Sequence, residues 1–147
     1  LRLKCDLNDT AWFDRIDASG GAIFFAAGVF YYFLREQVRA LVQRMAAAFP
    51  GGVLVFDAAN EKAVRLMLKT WIRDAKIKDV GAYFAVADAK AELGPWDSRL
   101  QISSRGYMLG YHDLRDPSVS GFFRFLARVG DRSMNMQIVR IGFGGEI

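Results

Sequence analysis

Two apolar runs of strand length, each followed by a helical pattern, constrain this chain most. "GAIFFAAGV" (21–29) leads into "LREQVRALVQRMAAAFP", where Val38, Leu41, Val42, Met45 and Phe49 fall at i, i+3, i+4, i+7 and i+11. "VLVFD" (53–57) leads into "AANEKAVRLMLKTWIRDAK", with the stripe Val64, Met67, Leu68, Trp71, Ile72 and Ala75. "FPGG" (49–52) separates the two units. The order β, α, β, α with short turns predicts parallel strands joined by crossover helices, both strands buried on both faces.

The flanks are less regular. "LRLKCDL" (1–7) alternates like a short strand, with Cys5 expected to be a buried small hydrophobe. Asn8 and Asp9 are cap candidates for a helical turn around Trp12. A short helix is expected near Asp88–Leu93 and a strand in "RLQISSRGYML". "SVSGFFRFLARVG" predicts a third amphipathic helix, with Val119, Phe122, Phe123, Leu126 and Val129 on its apolar side. "MQIVRIGFG" closes as a strand with Val139, Ile141 and Phe143 on one face, running against "VLVFD".

The 147 residues suit a single domain, 1–147, with a real core. The net charge of +4 is scattered. Its nearest approach to a patch is one helix face carrying Lys62, Arg65, Lys69, Arg73 and Lys76, which reads as a solvated face, since no aromatic or glycine motif accompanies it. One cysteine, Cys5, permits no internal disulfide. The longest nearly uncharged segment, 18–34, is broken by glycines and is a poor membrane span. A cytoplasmic protein with no nucleic-acid partner and no membrane partner is expected.

In an open parallel sheet, ligands bind beyond the carboxyl ends of the strands. Standing there are Asp6, Leu7 and Asn8, then Ala26, Ala27, Gly28 and the aromatics through Tyr32, then Asp57. The small residues let backbone approach a ligand closely, and Tyr31 and Tyr32 offer flat faces, each with a hydroxyl. His112, the only histidine, in "GYHDLRD", is a candidate base, as are Asp57 and Tyr107.

The segments "KCDLND…W", "AAGVFYYF" and "FPGGVLVFDA" resemble the leucine carboxyl methyltransferase and tetracenomycin polyketide O-methyltransferase family, chiefly over 3–58. These are class I S-adenosylmethionine-dependent methyltransferases. The resemblance implies a partial Rossmann-like α/β sheet, with central parallel strands, an antiparallel last strand and helices on both faces. The class strand order is 3-2-1-4-5-7-6.

It further implies that Asp6 accepts from the adenine amino group and that the Leu7 amide meets a ring nitrogen. Backbone at Ala27 and Gly28, with Tyr32, would line the methionine end, and Asp57 would lie near the substrate. Ala27 departs from the family's Glu-Gly-Val-x-x-Tyr turn, whereas Gly28, Val29 and Tyr32 agree. The family's glycine-rich loop precedes "LRLKCDL", and "GFGGE" (142–146) opens no helix, so it is no substitute. The expected function is O-methylation of a small molecule, a polyketide-like hydroxyl or carboxylate, by a truncated chain whose own S-adenosylmethionine binding is weak or absent. The alternative is a non-catalytic remnant that binds a small apolar ligand and dimerises through an exposed sheet edge.

Overall fold

The computed structural model describes residues 3–72, 81, 83–106 and 116–144. Its strands are β1 (Ile23–Ala26), β2 (Val53–Ala58), β3 (Leu100–Gly106) and β4 (Gln137–Phe143). Its α-helices are α1 (Arg35–Ala48), α2 (Glu61–Met67), α3 (Ala89–Leu93) and α4 (Gly121–Met134). The sheet order is β1-β2-β4-β3. β1 and β2 are parallel, with Phe24 opposite Leu54 and Ala26 opposite Phe56. β4 inserts between β2 and β3 and runs against both. The parallel pair and the reversed last strand are as the sequence predicts. The order is that of strands 4-5-7-6 in a class I methyltransferase sheet, so the chain has a partial Rossmann-like fold.

α1 forms because its apolar positions repeat at helical spacing and Gln37 closes its first turn, its Oε1 accepting the Leu34 N–H at 2.8 Å. Val38, Leu41, Val42 and Met45 are buried in one cluster with Leu54, Phe56, Val139, Ile141 and Phe143 of the sheet. Full burial of each such side chain contributes about 1.5–3 kcal/mol. Phe30, Phe84 and Trp96 extend the cluster through ring contacts, with Phe30 and Phe56 centroids 5.1 Å apart and Phe84 and Trp96 at 6.2 Å.

Three expectations are corrected. Residues 3–7 form no strand, and Cys5 is exposed. A strand exists only where a neighbour completes its hydrogen bonds, and here Asp6 turns the chain at once, its Oδ1 accepting the Asn8 N–H at 2.9 Å. Asp9 then caps a 3-10 turn, Thr10–Arg15, which packs Trp12 and Phe13 against Phe24 and Phe49. Second, β1 is half-buried on one face and exposed on the other, with Ile23 67% and Phe25 77% exposed. It is an edge strand whose covered side faces the 3-10 turn and α1. Third, the second helix does not continue regularly. It widens after Met67 into a π-turn, Leu68–Ile72, in which the Thr70 hydroxyl donates to the Leu66 carbonyl at 2.9 Å. Ala75, expected on its stripe, lies outside the described residues.

Candidate functional site at the strand ends

β1 and β2 end side by side, and there the chain turns. Gly28 has φ +65°, a left-handed conformation that a side chain strains, and open space surrounds the position a Cβ would take. Its glycine is therefore required by backbone conformation and not by crowding. The Gly28 N–H donates to Asp57 Oδ1 at 2.6 Å, so the acid at the end of β2 fixes the turn after β1. The second Asp57 oxygen has no hydrogen-bond partner among the described residues and remains available to a ligand.

The aromatics after Gly28 divide by role. A 3-10 turn, Phe30–Tyr32, buries Phe30 and Tyr31 and leaves Tyr32 exposed. The Tyr31 carbonyl accepts from the Tyr83 and Phe84 amides at 2.7 and 3.3 Å, which draws the 83–87 segment against the strand ends.

Beside this rim lies a groove of about 860 Å³, lined among others by Arg35, Asn60, Lys62, Lys69, Tyr83 and Glu92. Arg35 braces one wall. It pairs with Glu92 at 3.0 Å, donates to the Ala85 carbonyl at 3.2 Å, and lies over the Trp96 ring at 5.6 Å. Glu92 in turn accepts from the Ala87 and Asp88 amides at 2.7 and 3.0 Å. Arg65 pairs with Glu61 at 3.0 Å, whereas Lys62 and Lys69 meet no acid among the described residues. Of the basic face read from the sequence as solvated, Lys62, Arg65 and Lys69 are exposed and line this groove, and Arg73 and Lys76 lie outside the described residues.

Uncharged amides tie the rim to the far half of the sheet. Asn60 caps α2, its Oδ1 accepting from the Ala63 amide at 3.0 Å, while its Nδ2 donates to the Ser133 carbonyl at 2.9 Å and its N–H to the Met134 carbonyl at 3.0 Å. Gln137, at the start of β4, donates to the Val86 carbonyl at 3.1 Å, and the Asn135 side chain donates to the Ala87 carbonyl.

Of the residues expected at the site, the fold brings Ala27, Gly28, Tyr32 and Asp57 to one rim. Asp6 and Leu7 lie in the segment before the first 3-10 turn, and Asp6 is joined through its Oδ1 to Asn8 and to no rim residue. Tyr107 and His112 lie outside the described residues. Arg35, Asn60, Tyr83 and Glu92 went unread in the sequence. Only Asn60 carried a local signal, as a capping residue ahead of "EKAV". Among the described residues no cluster of acids, histidines or cysteines is arranged to hold a metal ion.

No family model matches the sequence, and no curated protein matches it. Among solved structures, the chain is similar to a DUF574 family protein from Streptomyces avermitilis, with a TM-score of 0.62 and 11% sequence identity. The match covers 95% of this chain and 53% of that one, so the chain spans about half the length of the structure it matches. The likeness is one of fold. Among the described residues, no helix is long and apolar enough to cross a membrane.

Proposed function

We propose that this chain supplies the acceptor side of an S-adenosylmethionine-dependent O-methyltransferase related to the leucine carboxyl methyltransferase and tetracenomycin polyketide O-methyltransferase family. The observation that carries the reading is the Gly28–Asp57 hydrogen bond, which joins a tight turn and an acid at the ends of two parallel strands. The rim fits such a ligand. The small Ala27 and Gly28 leave backbone open to the methionine end, and the exposed Tyr32 ring offers a flat wall. Asp6 and Leu7 would meet the adenine.

S-adenosylmethionine supplies an electrophilic methyl group. A substrate hydroxyl or carboxylate oxygen forms the new O–C bond as the C–S bond breaks and the sulfide leaves. A carboxylate needs no base, whereas a hydroxyl must lose a proton, which the second oxygen of Asp57 would take; Tyr107 and His112 are further candidates. Tyr83 and the lysines of the groove wall would face a small, partly aromatic acceptor.

Backbone amide shifts followed while S-adenosylhomocysteine is added to millimolar concentration test the assignment. Perturbation centred on Gly28, Val29 and Tyr32 is expected. Perturbation elsewhere removes it, and none would show that this chain does not hold the cofactor by itself.

A second reading, a module that self-associates through its sheet edge, is favoured by β1, which has no strand on its outer side among the described residues and exposes Ile23 and Phe25. Sedimentation should then show a dimer that Phe25→Lys dissociates. A chain monomeric at about 100 μM, some 100-fold above a micromolar Kd, would exclude a stable edge-paired dimer.

A further inference from the structure

α4 stands outside the sheet. β3 ends at Gly106 opposite Gln137, where β4 begins, so the helix between them lies beyond the rim, held at its last turn by Asn60. Of its side chains only Ala127 is fully buried. Phe122, Phe125, Leu126 and Val129 fall at i, i+3, i+4 and i+7 and form one stripe, with Phe122 68% and Phe125 62% exposed and Phe123 exposed beside them. Fourteen residues give this stripe a length of about 21 Å.

Arg124, Arg128 and Arg132 form a row at i, i+4 and i+8 along the flank, against one acid in the helix, Asp131. Arg124 donates to the Asp116 carbonyl at 2.8 Å. Arg128 and Arg132 are exposed and meet no acid among the described residues. The shape and the charge together select the occupant. A small ligand needs a concave site, whereas these side chains stand out from the helix into solvent. An apolar stripe of phenylalanine and leucine beside a row of arginines matches a helix that lies in the plane of a lipid interface. The surplus positive charge, within a chain of net charge +4, calls for an anionic surface.

We propose that α4 docks this chain on an anionic lipid surface, with Phe122, Phe125, Leu126 and Val129 at the headgroup–acyl boundary and Arg128 and Arg132 against lipid phosphates. The helix lies on the surface and does not span. This revises the expectation of no membrane partner, which weighed only a spanning segment. It does not depend on the methyltransferase reading.

Co-sedimentation of the 147-residue chain with vesicles tests it. Phosphatidylcholine vesicles containing about 30% phosphatidylserine should bind the chain, and raised salt should release it. Pure phosphatidylcholine should bind far less. Phe122→Ser with Phe125→Ser should weaken binding about tenfold or more, and Arg128→Gln and Arg132→Gln about fivefold each. All four side chains are exposed, so thermal unfolding of the variants should match the parent. No binding to the mixed vesicles overturns the proposal. So does equal binding to both vesicle types, or binding that the phenylalanine changes leave intact. A concentration-dependent dimer that those same changes dissociate, without vesicle binding, would assign the stripe to a second copy of the chain instead.

Discussion

α1 and α4 are helices of equal length, 14 residues each, and both carry an apolar stripe, yet they meet opposite fates. The stripe of α1 is buried against the sheet, whereas that of α4 faces outward. Connectivity accounts for the difference. α1 joins β1 to β2, adjacent parallel strands, so it must run back along the sheet and cover it. α4 joins β3 to β4, which are antiparallel neighbours and could be linked by a tight turn. Antiparallel pairing therefore does not oblige the helix to run back along the sheet. Helical periodicity reveals that a helix has an apolar side, and the pairing of the flanking strands decides whether the fold covers it.

One leucine from each helix separates the two cases most strongly. Leu41→Ala, in α1, should lower unfolding stability in urea by about 2–5 kcal/mol, while Leu126→Ala, on α4, should cost under about 1 kcal/mol. Equal losses would mean that the α4 stripe is covered in solution. Next in size, Gly28→Ala forces a side chain into the left-handed region and should cost about 1–2 kcal/mol. Asp57→Ala removes the bond that fixes the same turn and should cost about 1 kcal/mol. Because both act on one turn, the double variant should lose less than the sum. Additive losses in the same melts would show that Asp57 does not hold Gly28.

The smallest effect sharpens the contrast from the end of the sheet opposite the rim. Just before β3, hydrogen bonds from the Arg99 side chain and backbone amide hold Asp97 at a pKa of about 2, below its ordinary 3.8. A lowered folded-state pKa stabilises above the unfolded value, and that stabilisation fades as pH falls from about 3.8 through about 2. Arg99 is exposed and Asp97 half-buried, so water screens the pair, the effect on stability is small, and a carboxyl titration followed by NMR is the suitable measurement. A midpoint near 3.8 would show that the pair does not persist in solution, whereas Arg99→Gln should raise the midpoint only part of the way, because the backbone amide bond stays.

The β1-α1-β2 unit was legible because apolar runs and helical spacing are local properties. The reversed last strand was legible through its alternation, which put Val139, Ile141 and Phe143 on one buried face. "LRLKCDL" misled because alternation states which way side chains would point in a strand and supplies no neighbour to make one. At the rim, Gly28 and Asp57 could each be marked as residues at strand ends. Their 2.6 Å contact follows only from the register that sets Ala26 beside Phe56. The Arg35–Glu92 brace was invisible, since it joins the start of α1 to a short helix that follows an irregular segment.

The insertion of β4 between β2 and β3 also dictates an order of assembly during synthesis. β1, α1 and β2 are complete in the nascent chain well before β4 emerges, and they can pack as they leave the ribosome. β3 is made earlier than β4 yet pairs with no other strand among the described residues, so it waits exposed until the last strand arrives. Ribosome-bound chains halted before Gln137 should therefore protect the β1–β2 amides from hydrogen exchange and leave those of β3 unprotected, and protection of β3 in such chains would show that it finds a temporary partner elsewhere.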